Sequence, residues 1–360
     1  MKERNISIDI LKFIAVLLVV NSHMDGLYPN PKFATGGAIG DVLFFFCSGY
    51  TLSLKTFHSF TSYYKKRINR IYPSIIAWVF LRTLFFDYHG DIIDIILFGG
   101  GWFISCIMIY YILLFFIQKY CHEHIKIVFL TYCCITLIWY YFFFDHKEIV
   151  WMYKATLFKW CHYFLFMLLG AACANKFKET PPFTNNTLYS DISLLLLSIA
   201  GFYGILMLGE NSPEFAYYQI TSLIPLLGIT FYTFRISQST KVAALYQNRI
   251  LHPVITVIGG LCLEFYLVQG ALMKTSISIP FPLNAITAFV SIFLLAYIVR
   301  CLSRIIKQTF LDRENYDWKE VFRFWIITAM LSHLNDLTFA LLLLSLWNVK
   351  TKRLETDTTS

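Results

Sequence analysis

The stretch ISIDILKFIAVLLVVNSHM, residues 6–24, decides the structural class of this chain. It is mostly apolar over about 20 residues, which is enough for one α-helical crossing of a bilayer. The basic residues Lys2 and Arg4 precede it, and no small-residue cleavage site of a signal peptide follows it. We therefore expect residues 6–24 to be retained as a membrane span.

The composition extends this conclusion to the whole chain. Of its 360 residues, 57% are hydrophobic and only 14% are charged, whereas soluble domains carry about 25% charged residues. So little charge cannot cover a water-facing surface, which excludes a soluble globular enzyme, a disordered protein and most nucleic-acid-binding proteins. We predict a lipid bilayer as the main environment and no nucleic-acid partner.

Apolar runs of this kind recur along the chain and predict an all-α fold. The ten runs are residues 6–24, 38–54, 74–86, 92–117, 125–144, 151–174, 188–208, 216–234, 253–273 and 282–299. The run 74–86 is short and needs a tilt or an extension to cross a bilayer. The expected architecture is a polytopic transmembrane helical bundle of about ten spans.

The charges between these runs predict the orientation of the bundle. If the amino terminus is cytoplasmic, the inner loops hold most of the lysines and arginines, and the outer loops hold only Lys32, Lys147 and Lys274. Cytoplasmic loops of membrane proteins carry such an excess of positive charge. We therefore predict a multi-pass protein of the cell (inner) membrane, and the net charge of +8 reflects this topology.

The carboxy-terminal part does not follow the same pattern. We separate a membrane domain, residues 1–307, from an extension of unknown role, residues 308–360. The apolar run 321–349 in this extension is interrupted by polar residues and followed by a basic end. An eleventh span would place that end outside, so an interfacial helix or a hairpin fits the charges better, and all three arrangements stay open.

Two ionisable side chains, Lys12 and His23, lie in the first run. On an α-helix their spacing brings them to within about 20° of each other in azimuth and separates them by about 16 Å along the axis. Ionisable residues in membrane helices are costly and usually face a cavity or a pathway. Each residue alone is explained by its place near an interface, whereas a shared face indicates a common polar pathway.

A basic arm, YYKKRINRIYP at residues 63–73, precedes the third span. Arg67 and Arg70 are three residues apart and therefore neighbours on one helical face, with Lys66 beside them. Adjacent guanidinium groups at the inner face of a membrane suit a multiply phosphorylated ligand. Taken in isolation, the same residues are also explained as a charge cluster that only sets the topology.

The second span begins in the segment GGAIGDVLFFFCSGY, residues 36–50. Its glycines favour close packing of helix backbones. Asp41 is a carboxylate at a depth similar to that of His23, and it could orient the imidazole and raise its basicity.

The nine cysteines of the chain include no pair with the two-residue spacing of zinc sites. We therefore expect no metal site.

Together these pieces resemble the start of the acyltransferase type 3 family, integral membrane proteins that acylate sugars and other surface molecules. The matching pieces are Lys12 with His23 after ten intervening residues, the segment 40–50, and Arg67 with Arg70 before Pro73. Weaker similarity extends the resemblance to about residues 4–303. Cys262 and Gln269 stand where the family often has serine and histidine, so the resemblance assigns no role near the ninth span.

The resemblance implies an acyl-CoA-dependent O-acyltransferase, an enzyme that transfers groups other than amino-acyl groups. Its donor substrate would be cytoplasmic acyl-CoA, expected to be acetyl-CoA, with no bound cofactor. The expected donor-binding residues are Arg67, Arg70 and Lys66. The expected catalytic residues are His23, Asp41 and Lys12, with His23 as general base on the acceptor hydroxyl.

The acceptor implied by the resemblance is a hydroxyl group of an extracytoplasmic cell-surface polysaccharide or glycan precursor, with glycan-assembly proteins as candidate partners. Direct transfer and transfer through an acyl-enzyme both stay open. The alternative is a non-enzymatic polytopic glycan exporter or envelope-assembly protein, because transporters also use intramembrane ionisable residues and broken helices. An exporter, however, has no need of a site for CoA phosphates.

Overall fold

A computed structural model describes residues 5–86, 95, 99–143, 152–153, 158–177, 187–273 and 279–309. Of these residues 86% are helical, and no strand occurs among them. The prediction of an all-α fold is confirmed. The expectations for the extension from residue 310 onwards lie outside the described residues.

The α-helices of the described residues are numbered in chain order. They are α1 (Ile6–Asn21), α2 (Gly37–Ser53), α3 (Phe60–Phe85), α4 (Gly101–Tyr120), α5 (Ile125–Phe143), α6 (Lys159–His162), α7 (Phe164–Phe177), α8 (Leu188–Asn211), α9 (Pro213–Ala216), α10 (Leu223–Ser237), α11 (Thr240–Tyr246), α12 (Leu251–Gly260), α13 (Cys262–Leu272) and α14 (Leu283–Thr309). Each of the ten predicted runs overlaps at least one of them.

The number of membrane spans differs from the expectation. In the described part of the chain, six helical stretches are long and apolar enough to cross a membrane, and the bent pair α12 and α13 adds a seventh. The count of about ten spans is therefore not confirmed. The difference has local causes, because α1 has only 16 residues, the first half of α3 is charged, and α7 has only 14 residues.

Helix α3 joins the basic arm to the third run. It is continuous for 26 residues and passes through Pro73. This supplies the extension that the short run 74–86 needs. Arg67, Arg70 and Ser74 follow the spacing i, i+3, i+7, so they lie along one face of the same helix.

Glycines bring α1, α2 and α7 into close contact. A Cβ atom at Gly40 would lie 2.8 Å from a backbone oxygen of α1. In the contact between α2 and α7, a Cβ at Gly49 would lie 1.9 Å, and one at Gly170 2.2 Å, from a backbone oxygen of the facing helix. These separations leave no room for a side chain, which confirms that the glycine-rich segment serves close backbone packing.

The ninth predicted run, residues 253–273, is a bent pair instead of a straight span. Helices α12 and α13 meet at Leu261 with a bend of 72°. Gly259, near the end of α12, packs on α1, where an added Cβ would lie 2.9 Å from a backbone oxygen. Gly259 and Gly260 are adjacent, and such a pair weakens a helix. The bend therefore follows directly after the point where α12 packs on the backbone of α1.

Candidate active site

A cavity of about 400 Å³ lies between α1, α2, α3, α4 and the bent pair with α14. Small-molecule sites in proteins typically measure about 300–1,000 Å³. Lys12, Arg67 and Arg70 line this cavity together, and Arg300 is a fourth cation in its wall. The structure thus brings three of the predicted site residues into one space.

Arg67 is the most enclosed of these cations. Arg67 is 9% exposed, and its Nε atom has no hydrogen-bond partner among the described residues. Its guanidinium carbon lies 5.6 Å from the ring centre of Tyr63 and 5.9 Å from that of Tyr111. Aromatic rings attract a cation without neutralising it. A buried guanidinium with an unused donor is costly, so this arrangement favours an anionic ligand.

Arg70 and Lys66 are both exposed, but they differ in their relation to the cavity. Arg70 lies one turn beyond Arg67 and lines the cavity. Lys66 is about 100° from Arg67 around the helix axis and is not among the residues that line the cavity. The role of Lys66 in donor binding stays a prediction.

Lys12 is half-buried in the middle of α1 and belongs to the same cavity as the arginines. The Cβ of Lys12 would lie 3.5 Å from a Cβ added at Gly259, so α12 covers the base of the lysine side chain. The predicted catalytic lysine is therefore located with the predicted donor-binding residues.

His23 lies two residues beyond the carboxy-terminal end of α1 and is not among the residues that line the cavity. Helix α1 ends at Asn21, and the backbone N–H of His23 donates to the carbonyl of Val20. This is a tighter turn than an α-helix has. The expected shared face with Lys12 assumed an α-helix through residue 23, whereas α1 ends two residues earlier, so the shared face stays a prediction.

The His23 side chain is exposed, yet the surrounding protein atoms influence its titration. Desolvation lowers the pKa of His23 below its ordinary value of 6.5, and the nearby Asp25 carboxylate opposes this shift. An imidazole with a lowered pKa is neutral at physiological pH. It can therefore accept a proton, as a general base must.

Asp41 lies near the start of α2 and is half-buried. The hydroxyl group of Tyr163 donates a hydrogen bond to its carboxyl group, and the Lys159 ammonium acts on it electrostatically. That ammonium also lies 4.0 Å from the ring centre of Trp102. These partners differ from the predicted one, and the pairing of Asp41 with His23 stays a prediction.

The comparison with protein families gives one match. Residues 5–303 match the family model of an acyltransferase domain, and this range contains every residue that lines the cavity. The chain belongs to the acyltransferase type 3 family. Membership supports a membrane acyltransferase. A search of curated proteins and a search of solved structures each found no match.

Asp9 is a residue of this acyltransferase cavity that the sequence analysis missed. It is 6% exposed and accepts a hydrogen bond of 3.1 Å from the Tyr246 hydroxyl group. It lies one turn before Lys12 and lines the same cavity, so its charge offsets part of the cationic lining. A carboxylate inside an apolar run is costly in a membrane, and this was the available signal.

Arg300 and Glu264 form an ion pair of 2.8 Å beside the cavity. Glu264 is fully buried and also accepts a hydrogen bond of 2.6 Å from the Ser74 hydroxyl group. Both partners come from other helices, α3 and α14. Arg300 directly follows the last predicted run, and its local sequence carries no motif that would have assigned it a role.

The side chains around the cavity suit an anion better than a metal ion. The cavity has four cationic side chains in its lining and Asp9 as the carboxylate. In the described part of the chain, no group of three or more His, Cys, Asp or Glu residues is placed to hold a metal. A ligand that carries several phosphate groups fits this charge distribution.

Proposed function

We propose that this acyltransferase moves an acyl group, expected to be acetyl, from cytoplasmic acyl-CoA to a hydroxyl group of an extracytoplasmic cell-surface glycan. The observation that carries the proposal is the buried Arg67, whose Nε has no partner among the described residues, in one cavity with Arg70 and Lys12. The phosphate oxygens of CoA accept hydrogen bonds from such groups.

In this proposal the phosphate groups of CoA bind at the end of the cavity where α3 contributes Arg67 and Arg70. Two guanidinium groups one turn apart can hold phosphate oxygens with paired hydrogen bonds, which a lysine cannot do. In the topology that the loop charges predict, this end of α3 is cytoplasmic. The proposal therefore includes an inner-membrane location and a cytoplasmic amino terminus.

The acyl group then has to reach the outer end of α1. Asn21, the last residue of α1, lies about 14 Å along the helix axis from Lys12, and His23 follows two residues later. The pantetheine arm of CoA covers much of that distance. Donor binding at the inner end is thus compatible with chemistry at the outer end.

The proposed chemistry is general-base catalysis by His23. The imidazole accepts the proton of the acceptor hydroxyl group while the hydroxyl oxygen attacks the thioester carbonyl carbon. The carbon–sulfur bond breaks, and CoA leaves as a thiolate that takes up a proton. An acyl-enzyme route would use the same donor site.

Asp41 enters the proposal as the carboxylate that orients His23. In the structure its partners are Tyr163 and Lys159. The proposal therefore requires Asp41 to leave these partners when it acts on the imidazole.

The test uses the full-length protein in lipid nanodiscs with radiolabelled acetyl-CoA and a surface-glycan fraction from cells that lack this protein. We expect label to move to the glycan, and NMR with mass analysis should identify the acylated hydroxyl group. Binding of acetyl-CoA without transfer to any glycan would contradict the proposed acceptor. Absence of acyl-CoA binding would contradict the proposed donor.

A further inference from the structure

The break between α12 and α13 leaves two helix ends inside the bundle. The last carbonyl groups of a helix and its first N–H groups have no partners within the helix. The end of α12 therefore carries partial negative charge, and the start of α13 carries partial positive charge. Both ends meet at Leu261, next to the cavity.

Arg300 and Glu264 each complement one of these ends. The Nη2 group of Arg300 donates a hydrogen bond to the carbonyl oxygen of Gly260, at the end of α12. Glu264 lies in the first turn of α13, where the helix dipole stabilises a carboxylate. Because Nη2 also donates to Glu264 at 2.8 Å, one nitrogen atom connects both helix ends.

The other two guanidinium nitrogens of Arg300 have no hydrogen-bond partner in the described part of the chain. A guanidinium group has five N–H donors, and Nη2 carries two of them. Nε and Nη1 make no hydrogen bond with the described residues, and Arg300 lines the cavity. The hydrogen bond to the Gly260 carbonyl and the ion pair with Glu264 hold the side chain in place.

Arg300 lies further from the cytoplasmic end of α3 than the two arginines of that helix. Arg300 and Ser74 both donate hydrogen bonds to the Glu264 carboxylate. Ser74 is one turn beyond Arg70, a rise of about 6 Å. The three cations therefore follow one another along the cavity in the order Arg67, Arg70, Arg300.

We propose that Arg300 binds the pantetheine arm of the acyl donor, by hydrogen bonds from Nε and Nη1 to the amide carbonyl oxygens of the arm. The carboxylate of Glu264 offsets the charge of Arg300, which reduces its attraction for phosphate and leaves its N–H groups available to neutral acceptors. Arg300 binds the same carboxylate as Ser74, which is one turn beyond Arg70, and this place corresponds to the part of CoA beyond the diphosphate. This inference rests on the proposed use of acyl-CoA and assigns the arm and the phosphates to different arginines.

The test compares three ligands by calorimetry on the full-length protein in nanodiscs. They are acetyl-CoA, S-acetyl-4′-phosphopantetheine, which keeps the arm, and adenosine 3′,5′-bisphosphate, which lacks it. Arg300→Lys keeps a cation for Glu264 but removes the planar fork. We expect about tenfold weaker binding of the first two ligands and unchanged binding of the third.

Arg67→Gln is the matched comparison within the same cavity. It should weaken the bisphosphate and acetyl-CoA strongly and S-acetyl-4′-phosphopantetheine least. If Arg300→Lys weakens the bisphosphate as much as acetyl-CoA, Arg300 binds phosphate and the proposal is wrong. The proposal is equally wrong if this variant binds all three ligands normally.

A second measurement does not depend on the folding of a variant. It uses the unaltered protein and an acetyl-CoA analogue in which a neutral trans-alkene replaces each amide group of the arm, which keeps the shape of the arm and removes the carbonyl oxygens. We expect about tenfold weaker binding than for acetyl-CoA, and equal affinity overturns the proposal. If the unaltered protein binds no acetyl-CoA at all, the proposed function itself fails, which separates the two failures.

Discussion

In the proposed orientation, the inner end of the donor pathway, around Lys12 in the middle of α1, and its outer end, around His23 beyond Asn21, provide opposite environments. Around Lys12, cations line the cavity, and one of them is a buried guanidinium. Around His23, the side chain is exposed, and the following loop is held by the side-chain amide of Asn21, which donates to the carbonyls of Phe33 and Thr35 at 2.9 Å each. Burial strengthens the attraction of a cation for an anionic ligand. At His23, desolvation lowers the pKa of the imidazole, which keeps it neutral and able to accept a proton. The difference is consistent with the proposed donor binding at the inner end and the proposed proton transfer at the outer end.

The largest expected effect comes from removing the imidazole at the outer end. His23→Ala should lower the rate of acyl transfer by about 10²- to 10⁴-fold, because general-base catalysis contributes that much. Acetyl-CoA affinity should stay unchanged, since His23 does not line the cavity. Label transfer and calorimetry on the same preparation measure the two quantities.

The matched control for this variant is His58→Ala, which alters an exposed histidine in the connection between α2 and α3. It should transfer acyl groups normally. Normal transfer by His23→Ala itself would contradict the assignment of His23 as the base.

A second change should disturb both ends at once. Gly49→Ala places a Cβ about 1.9 Å from a backbone oxygen of α7, so α2 has to move, and we expect a loss of about 2 kcal/mol in stability. Helix α2 carries Asp41 near one end and cavity-lining residues near the other, so binding and transfer should fall together. Thermal unfolding of the solubilised protein measures the loss.

Gly204→Ala in α8 is the control, because none of the described residues outside its own helix has an atom within 4 Å of the added Cβ. Alanine also favours a helix over glycine, so this variant should be at least as stable as the parent. If Gly49→Ala unfolds at the same temperature as Gly204→Ala, the close contact of α2 with α7 is wrong.

A third change should affect the inner end alone. Arg67→Gln should weaken acetyl-CoA binding by about 10- to 100-fold, which corresponds to losing a hydrogen bond from a charged group. At saturating donor the transfer rate should stay close to that of the parent. Calorimetry and initial rates at several donor concentrations separate the two effects.

The neighbouring variant Lys66→Gln distinguishes enclosed from exposed cations. Lys66 is exposed and screened by water and salt, so its loss should change affinity by only about twofold. If Lys66→Gln and Arg67→Gln lose the same affinity for acetyl-CoA, burial in the cavity does not determine which cations bind the donor.

The smallest expected effect is a change in pH dependence at the outer end. Desolvation lowers the pKa of His23, and Asp25 raises it. Transfer should fall as the pH drops through the pKa of His23, because the protonated imidazole cannot accept a proton. Asp25→Asn removes the raising charge, so the acidic limb of the profile should move to lower pH.

Asp25→Glu keeps the charge and should leave that limb near its original position. The measurement is the rate of transfer at limiting substrate across the pH range. A limb that moves to higher pH in Asp25→Asn would contradict the role of Asp25.

Local patterns made part of this molecule predictable. The spacing of Arg67 and Arg70 places them on one face of any helix, and the structure extends that helix through both. The glycine-rich segment at 36–50 predicted close packing because glycine alone lets two backbones approach so nearly. Neither inference needs knowledge of distant residues.

Residues whose role depends on distant partners were not predictable in this way. Asp9 is bound by Tyr246, which is 237 residues away in the chain, and Glu264 by Ser74, which is 190 residues away. The end of α1 at Asn21 was likewise not predictable, because the side chain of Asn21 binds carbonyls of the loop that follows. The periodicity of a local sequence does not predict contacts with residues that are distant in the chain.

By itself, the sequence determined the all-helical membrane class, the resemblance to its family and the basic arm, because composition and local spacing are sufficient for each. Only the tertiary structure decided that Lys12, Arg67, Arg70 and Arg300 share one cavity, that Asp41 faces Lys159 and Tyr163, and that the ninth run bends at Leu261. The physical reason is that burial and charge pairing are properties of packed helices, and each partner here is supplied by a helix remote in the chain.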